Sequence, residues 1–238
     1  MANQDPGYSY SLTGAVPPAA AAHQDTARTF MTRVYAWMAG GLFLTGSIAW
    51  VVSSSQALLD IFMPLFMPLL IAELVVVFAF SFMQSKVSGP VAAAMFLLYA
   101  ALNGITFSVI FLAYELASVG MVFAITAGSF VGLSIFGTVT KKDLTAWRSF
   151  LMIGLFGIII ASVVNYFLHS GMMTFVISCA AVLVFAGLTA YDTQKLRALH
   201  ASSGFSSQMS FSISGALMLY LDFINLFLAL LRLLGRRR

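Results

Sequence analysis

The chain contains seven unbroken apolar runs of about twenty residues, over roughly 33–53, 64–84, 91–113, 119–139, 149–168, 172–191 and 210–234. At about 1.5 Å of rise per residue, a helical run of that length matches a hydrocarbon core about 30 Å thick. Within a bilayer the backbone must satisfy its own hydrogen bonds, which leaves helices or a closed barrel. Barrel strands alternate in polarity over about ten residues, and the runs show no such alternation. They read as membrane-spanning helices. Composition agrees, with 61% hydrophobic and 8% charged residues against about 25% charged in a soluble domain. The expected fold is all-α: a polytopic membrane protein, a seven-transmembrane-helix bundle formed by residues 29–238. Residues 1–28 are rich in Pro, Ala and Ser without apolar period and are expected to be a disordered tail. They lack the basic start and apolar core of a secretory signal.

The last run decides what the bundle is for. GALMLYLDFINLFLALLRLLG (215–235) holds Asp222 and Asn225 near its middle. A carboxylate at that depth costs about 2.5–3.5 kcal/mol on insertion scales. Asp222 and Asn225 are three apart and share a face with Gly215, Met218 and Ala229. That small, polar stripe has to face protein or a water-filled cavity. Two other acids fall within or at the ends of the runs, Glu73 in the second and Asp192 at the end of the sixth. Lys86, Lys195, Arg197 and Arg232 all lie near helix ends, so no base is expected deep enough to pair with the acids. A carboxyl in a low-dielectric setting without such a partner takes up a proton rather than stay charged, and two that approach share one. Once deprotonated, the same oxygens suit a hard cation such as Ca²⁺. The residue types thus describe a proton-gated cation site if the acids meet.

Other readings stand beside that one. From its place at the end of the sixth run, Asp192 could equally be a helix-end residue in water. Asp222 and Glu73 could be structural hydrogen bonders between helices. Asn103, Asn165 and Asn225 read as interhelical hydrogen bonders rather than ligands, and His23, His169 and His200 as solvated bystanders. Cys179, the only cysteine, excludes an intramolecular disulfide and a multi-cysteine metal site. No phosphate-binding glycine loop, HExxH motif or nucleophile–base pair is present, so an enzyme is not expected. The net charge of +4 sits at helix ends, where headgroups and orientation account for it; no nucleic-acid partner is expected.

Orientation follows from the bases. With the N-terminus cytoplasmic, that side holds Arg28, Arg33, Lys86, Lys141, Lys142, Arg148, Lys195 and Arg197, and the other holds Arg232 and Arg236 to Arg238. Seven crossings place the C-terminal arginines outside, against the rule. A re-entrant segment with six crossings is the alternative, and seven is preferred.

The stretches TRVYAWMAGGL (32–42), AGLTAYDTQKL (186–196) and 215–235, with the Glu73-bearing second run, are where the chain resembles the Bax inhibitor-1 family, in its bacterial inner-membrane branch. The resemblance covers about 28–235. It implies a seven-helix bundle with the last helix central and wrapped by the other six, in a bacterial inner membrane. It also implies a pH-sensitive Ca²⁺ leak in which Asp192 and Asp222 form a shared-proton sensor and contact Ca²⁺, with Glu73 and Asn225 lining the polar path. No cofactor is implied; the partners are lipid, protons and Ca²⁺. Some members carry an Arg late in the second helix that latches onto the sixth-helix Asp, where this chain reads FSFMQSKVSG with Lys86 as its only base. The alternative function is a non-transporting regulator that binds a membrane protein such as a membrane-bound AAA protease, with the N-terminal tail engaging it.

Overall fold

The computed structural model describes the backbone of residues 18–83, 86–202 and 208–238, and the side chains of 27–83, 86–199 and 209–238. Seven helical spans, each long and apolar enough to cross a membrane, account for the described chain. They are α1 (Pro18–Ser53), a jointed second span of α2 (Gln56–Phe62) and α3 (Phe66–Met83), α4 (Gly89–Ala113), α5 (Leu116–Val139), α6 (Arg148–Leu168), α7 (Gly171–Ser202) and α8 (Gln208–Leu234). The all-α, seven-span reading of the sequence holds.

Local chemistry explains where the helices depart from the apolar runs. α1 starts at Pro18, inside the stretch expected to be a tail. A proline suits the first helical position, and the alanines after it are the strongest helix formers. Residues 1–17 of that stretch, with the side chains of His23 and His200, lie outside those described. In the second span, the residues between the first two apolar runs, which include Asp60, form the helix α2, supported by a Gln56 Nε2 to Asp60 Oδ1 bond of 2.8 Å. Pro64 lacks an N–H and turns Met63–Leu65 into a 3₁₀ joint. α7 continues well past Tyr191 because Leu196 still points into the core at 1% exposure. Asp192 is therefore inside a helix and not at its end.

α8 is the centre. More than half of its membrane window, 56%, is buried, against none of the second span and 6% of the span containing α6. It packs on α1, α4, α5 and α7, while α3 leans on α4 and α6 on α7. The expectation that all six other helices wrap the last one is thus met by four, with two in an outer layer. Apolar burial drives little in lipid, so close packing and polar ties carry the association. Tyr220 on α8 ties three helices together. Its hydroxyl is 2.7 Å from Thr45 Oγ1 on α1, which lies 2.9 Å from the carbonyl oxygen of Ala100 on α4. Its ring meets Phe96 and Tyr99 edge-on at 5.8 and 5.9 Å. Isolated hydroxyls such as Thr126 and Thr189 bond to the carbonyl four residues back, which satisfies them without a partner helix.

The place of the C-terminus agrees with seven crossings. The amide of Glu115 donates to the carbonyl of Arg236 (2.9 Å), that of Arg238 to Ala113 (3.1 Å) and that of Arg236 to Ser118 Oγ (2.9 Å). Arg237 lies over the Tyr114 ring, 5.9 Å from its centroid. The terminal arginines are pinned to the α4–α5 turn, at the opposite end of the bundle from the α5–α6 loop, as an odd number of crossings requires.

At the α5–α7 crossing a Cβ on Gly137 would run into the Ala190 carbonyl, whereas one on Gly120 would meet nothing within 4 Å. Gly137→Val is expected to destabilise the bundle by about 1–3 kcal/mol, read as a lowered thermal midpoint in detergent. Gly120→Ala is expected to leave the midpoint unchanged or raise it, by no more than about 1 kcal/mol.

Candidate functional site

The polar stripe of α8 follows from its sequence spacing, and the neighbours it meets are on α6 and α7. Met218, Asp222, Asn225 and Ala229 line one crevice of about 550 Å³, facing Asp192 and Phe185 on α7 and Leu155 and Ser162 on α6. Gly215, expected on the same face, packs instead against Leu196 and Val34. Because α6 leans on α7 rather than on α8, the crevice opens sideways between α6 and α8.

Asp192 and Asp222 come together within this crevice, close enough for a side-chain hydrogen bond. They are 9% and 5% exposed. Their helices run antiparallel, and the extension of α7 beyond Tyr191 brings Asp192 to the depth of Asp222. Two ionised carboxylates are acceptors only, so a bond between them requires that one carry a proton. The second oxygen of Asp222, Oδ2, is buried and receives no donor from any described residue. The fields of Lys195, one turn further along α7, and of Arg148, at the start of α6, reach Asp192. Lys86, in the turn after α3, is exposed and lines no part of the crevice. No basic latch from the second span is present at the pair.

Asn225 lines the same crevice one turn beyond Asp222. Its Nδ2 donates to the Leu221 carbonyl at 2.8 Å, so its own helix holds the amide. Arg232, which sequence reasoning set aside as a helix-end base, lines the far end of the crevice. It is about 15 Å along the α8 axis from Asp222. The i, i+3, i+7 and i+10 spacing of 222, 225, 229 and 232 was the signal that could have placed it there.

Glu73 is not brought to the pair. It accepts a 2.7 Å bond from Thr106 Oγ1 on α4, on the α4 side of α8, whereas the crevice lies on the α6–α7 side. It belongs to a second polar cluster through Thr106, whose hydroxyl also donates to the Asn103 carbonyl at 3.1 Å. Asn103 is part of that cluster, 3% exposed with its Nδ2 unpartnered among the described residues. Asn165 joins α6 to α7, donating to Thr174 Oγ1 at 2.8 Å and accepting from the Ser170 amide at 3.1 Å.

Two carboxylates and an amide offer hard oxygens, fewer than the six to eight Ca²⁺ takes, so water would have to complete its shell. Among the described residues no three His, Cys, Asp or Glu side chains gather around one point.

Comparison with known proteins agrees with this architecture. Residues 27–238 match the family described as inhibitor of apoptosis-promoting Bax1. The chain is 43% identical over 217 residues to the inner membrane protein YbhL of Escherichia coli, covering 89% of this chain and 93% of that protein. It is 46% identical over 211 residues to an uncharacterised protein of Deinococcus radiodurans, covering 88% and 91%. A protein of Borreliella burgdorferi is 42% identical over 216 residues, with 88% and 92% covered. The protein belongs to the Bax inhibitor-1 family.

Proposed function

We propose that this protein is a passive, proton-regulated Ca²⁺ leak of a bacterial inner membrane, with the Asp192–Asp222 pair as its gate. The observation that carries the reading is two buried carboxyls on α7 and α8 that line one crevice between α6, α7 and α8. With one proton shared, the pair is a hydrogen-bonded seam between α7 and α8, and the path is closed. Full deprotonation puts two negative charges side by side. At about 4 Å and an effective dielectric of about 20 they repel by about 4 kcal/mol, which drives the seam apart and favours a cation between them. The sign is fixed by the chemistry of acids: acidification closes and alkalinisation opens.

In this reading Asn225 supplies an amide oxygen on the path and Glu73 acts elsewhere, at the α3–α4 contact. Ca²⁺ is cargo, completed by water, and the task is transport rather than catalysis. The N-terminus is cytoplasmic and the pinned arginines lie outside. The inner-membrane assignment is supported by the Escherichia coli relative, named an inner membrane protein, and by the seven apolar spans. The regulator of a membrane protease depends on the N-terminal tail, most of which lies outside the described residues, and no described feature favours it.

Purified protein in proteoliposomes is expected to pass Ca²⁺ faster as pH rises from about 6 to 8, a window in which a shared-proton pair can titrate. Asp192→Asn and Asp222→Asn are each expected to flatten that dependence. Flux no greater than from empty liposomes at every pH would end the leak reading.

The pair also makes a prediction about stability. Asp222→Asn keeps the volume and supplies an N–H donor to Asp192, so its thermal midpoint at about pH 8 is expected to equal or exceed that of the wild type. Asp222→Ala leaves Asp192 unpaired beside a hole and is expected to cost about 1–3 kcal/mol. A lower midpoint for the Asn variant than for the Ala variant would argue against a shared proton.

A further inference from the structure

A second pocket, of about 390 Å³, lies between the α5–α6 loop and α7, and it is basic. Lys141, Lys142 and Lys195 line it with Thr145, Tyr191 and Gln194. Its walls are held in place. The Leu144 amide donates to Gln194 Oε1, and Gln194 Nε2 donates back to the Lys142 carbonyl, both at 2.9 Å. Tyr191, 7% exposed, forms a firm side of it, with the Lys195 ammonium over its ring at 5.9 Å.

Asp143 is the one acid on the rim. It caps the Leu144–Trp147 turn, accepting from the Thr145 amide at 2.8 Å. Hydrogen bonding from Thr145 holds its carboxyl below the usual carboxylate range, so it counts as one full negative charge against three positive ones. Among the described residues none of the three lysines is in an ion pair.

The position of the pocket says what its ligand is. It lies between the end of the α5 span at Val139 and the start of the next at Leu144. Trp147 and Phe150, which follow the pocket's loop in the chain, are 60% and 66% exposed and stand edge-to-face at 6.4 Å, as aromatic residues do at headgroup level. Leu199 and Ala198 line it with apolar surface, and Leu199 is exposed. A soluble anion would have no use for those flanks, and a lipid has use for both parts.

We propose that this pocket holds the phosphate headgroup of an anionic phospholipid from the adjoining leaflet, with Lys141, Lys142 and Lys195 as its ligands. The site stands on its own geometry and does not depend on the leak reading.

The test is native mass spectrometry of the full-length, delipidated protein with equal amounts of phosphatidylglycerol and phosphatidylcholine. Phosphatidylglycerol adducts are expected to dominate, and the preference to fall about fivefold for each of the three lysines changed to Gln. Changing the same lysines to Arg is expected to retain it, which separates loss of charge from loss of fold. Changing Arg236, Arg237 and Arg238 to Gln, at the other end of the bundle, is expected to leave it intact. Equal adducts of both lipids, an unchanged preference in the Lys→Gln proteins, or its loss in the C-terminal variant instead would overturn the proposal. Displacement of the lipid by millimolar inorganic phosphate would overturn it too, by making a soluble anion the occupant.

Discussion

Hydrocarbon offers a carboxylate nothing to bond to, and this constraint organises the bundle. Asp222 sits midway along the last span, where bare charge costs several kcal/mol. The chain meets that cost by placing a second carboxyl against the first and enclosing both between helices. Everything about α8 follows. It must be interior, its polar face must be covered by α7, and its other faces must be packed by α1, α4 and α5. The outer helices α3 and α6, which carry no such obligation toward α8, are left largely to lipid.

α8 therefore has two polar faces with different characters. On one, Tyr220 is locked to Thr45 and wedged between Phe96 and Tyr99, a contact that fixes the helix against α1 and α4. On the other, Asp222 and Asn225 look into a crevice that is neither filled nor closed. One face is anchored and the other is free to change. In the proposed leak, a rigid wall behind the pair would direct the effect of its charge to α7 and α6 and away from the α1–α4 side.

Much of this was legible in the sequence, for identifiable reasons. The seven spans could be read because lipid permits so few backbone solutions, and most of the α8 stripe because spacing of three and four residues on a helix keeps Met218, Asp222, Asn225 and Ala229 on one face. What could not be read depended on neighbours. Asp192 looked like a helix end because polar residues begin at Tyr191, yet Leu196 lies a turn beyond and is buried. Glu73 looked like a third member of the acid group because it is an acid in a span. The order in which helices pack around α8 puts it on the far side. Arg232 was dismissed as terminal, although its register places it on the crevice. The terminal arginines seemed to contradict an outside C-terminus, and only the pairing with Ala113 and Glu115 shows how they are held.

The centre of the bundle is also the last of the seven spans to leave the ribosome. Helices α1 to α7 enter the membrane before the segment they are built around exists, with Asp192, Tyr99 and Thr45 all waiting for partners on α8. Until then the early spans can associate only through contacts such as α1 with α4 and α5 with α7. A prematurely terminated chain would keep nearly all its membrane spans and still lack an interior, presenting unpaired polar groups to lipid and to the quality-control machinery that removes them. Emergence of the last span and completion of the bundle are thus one event in this architecture.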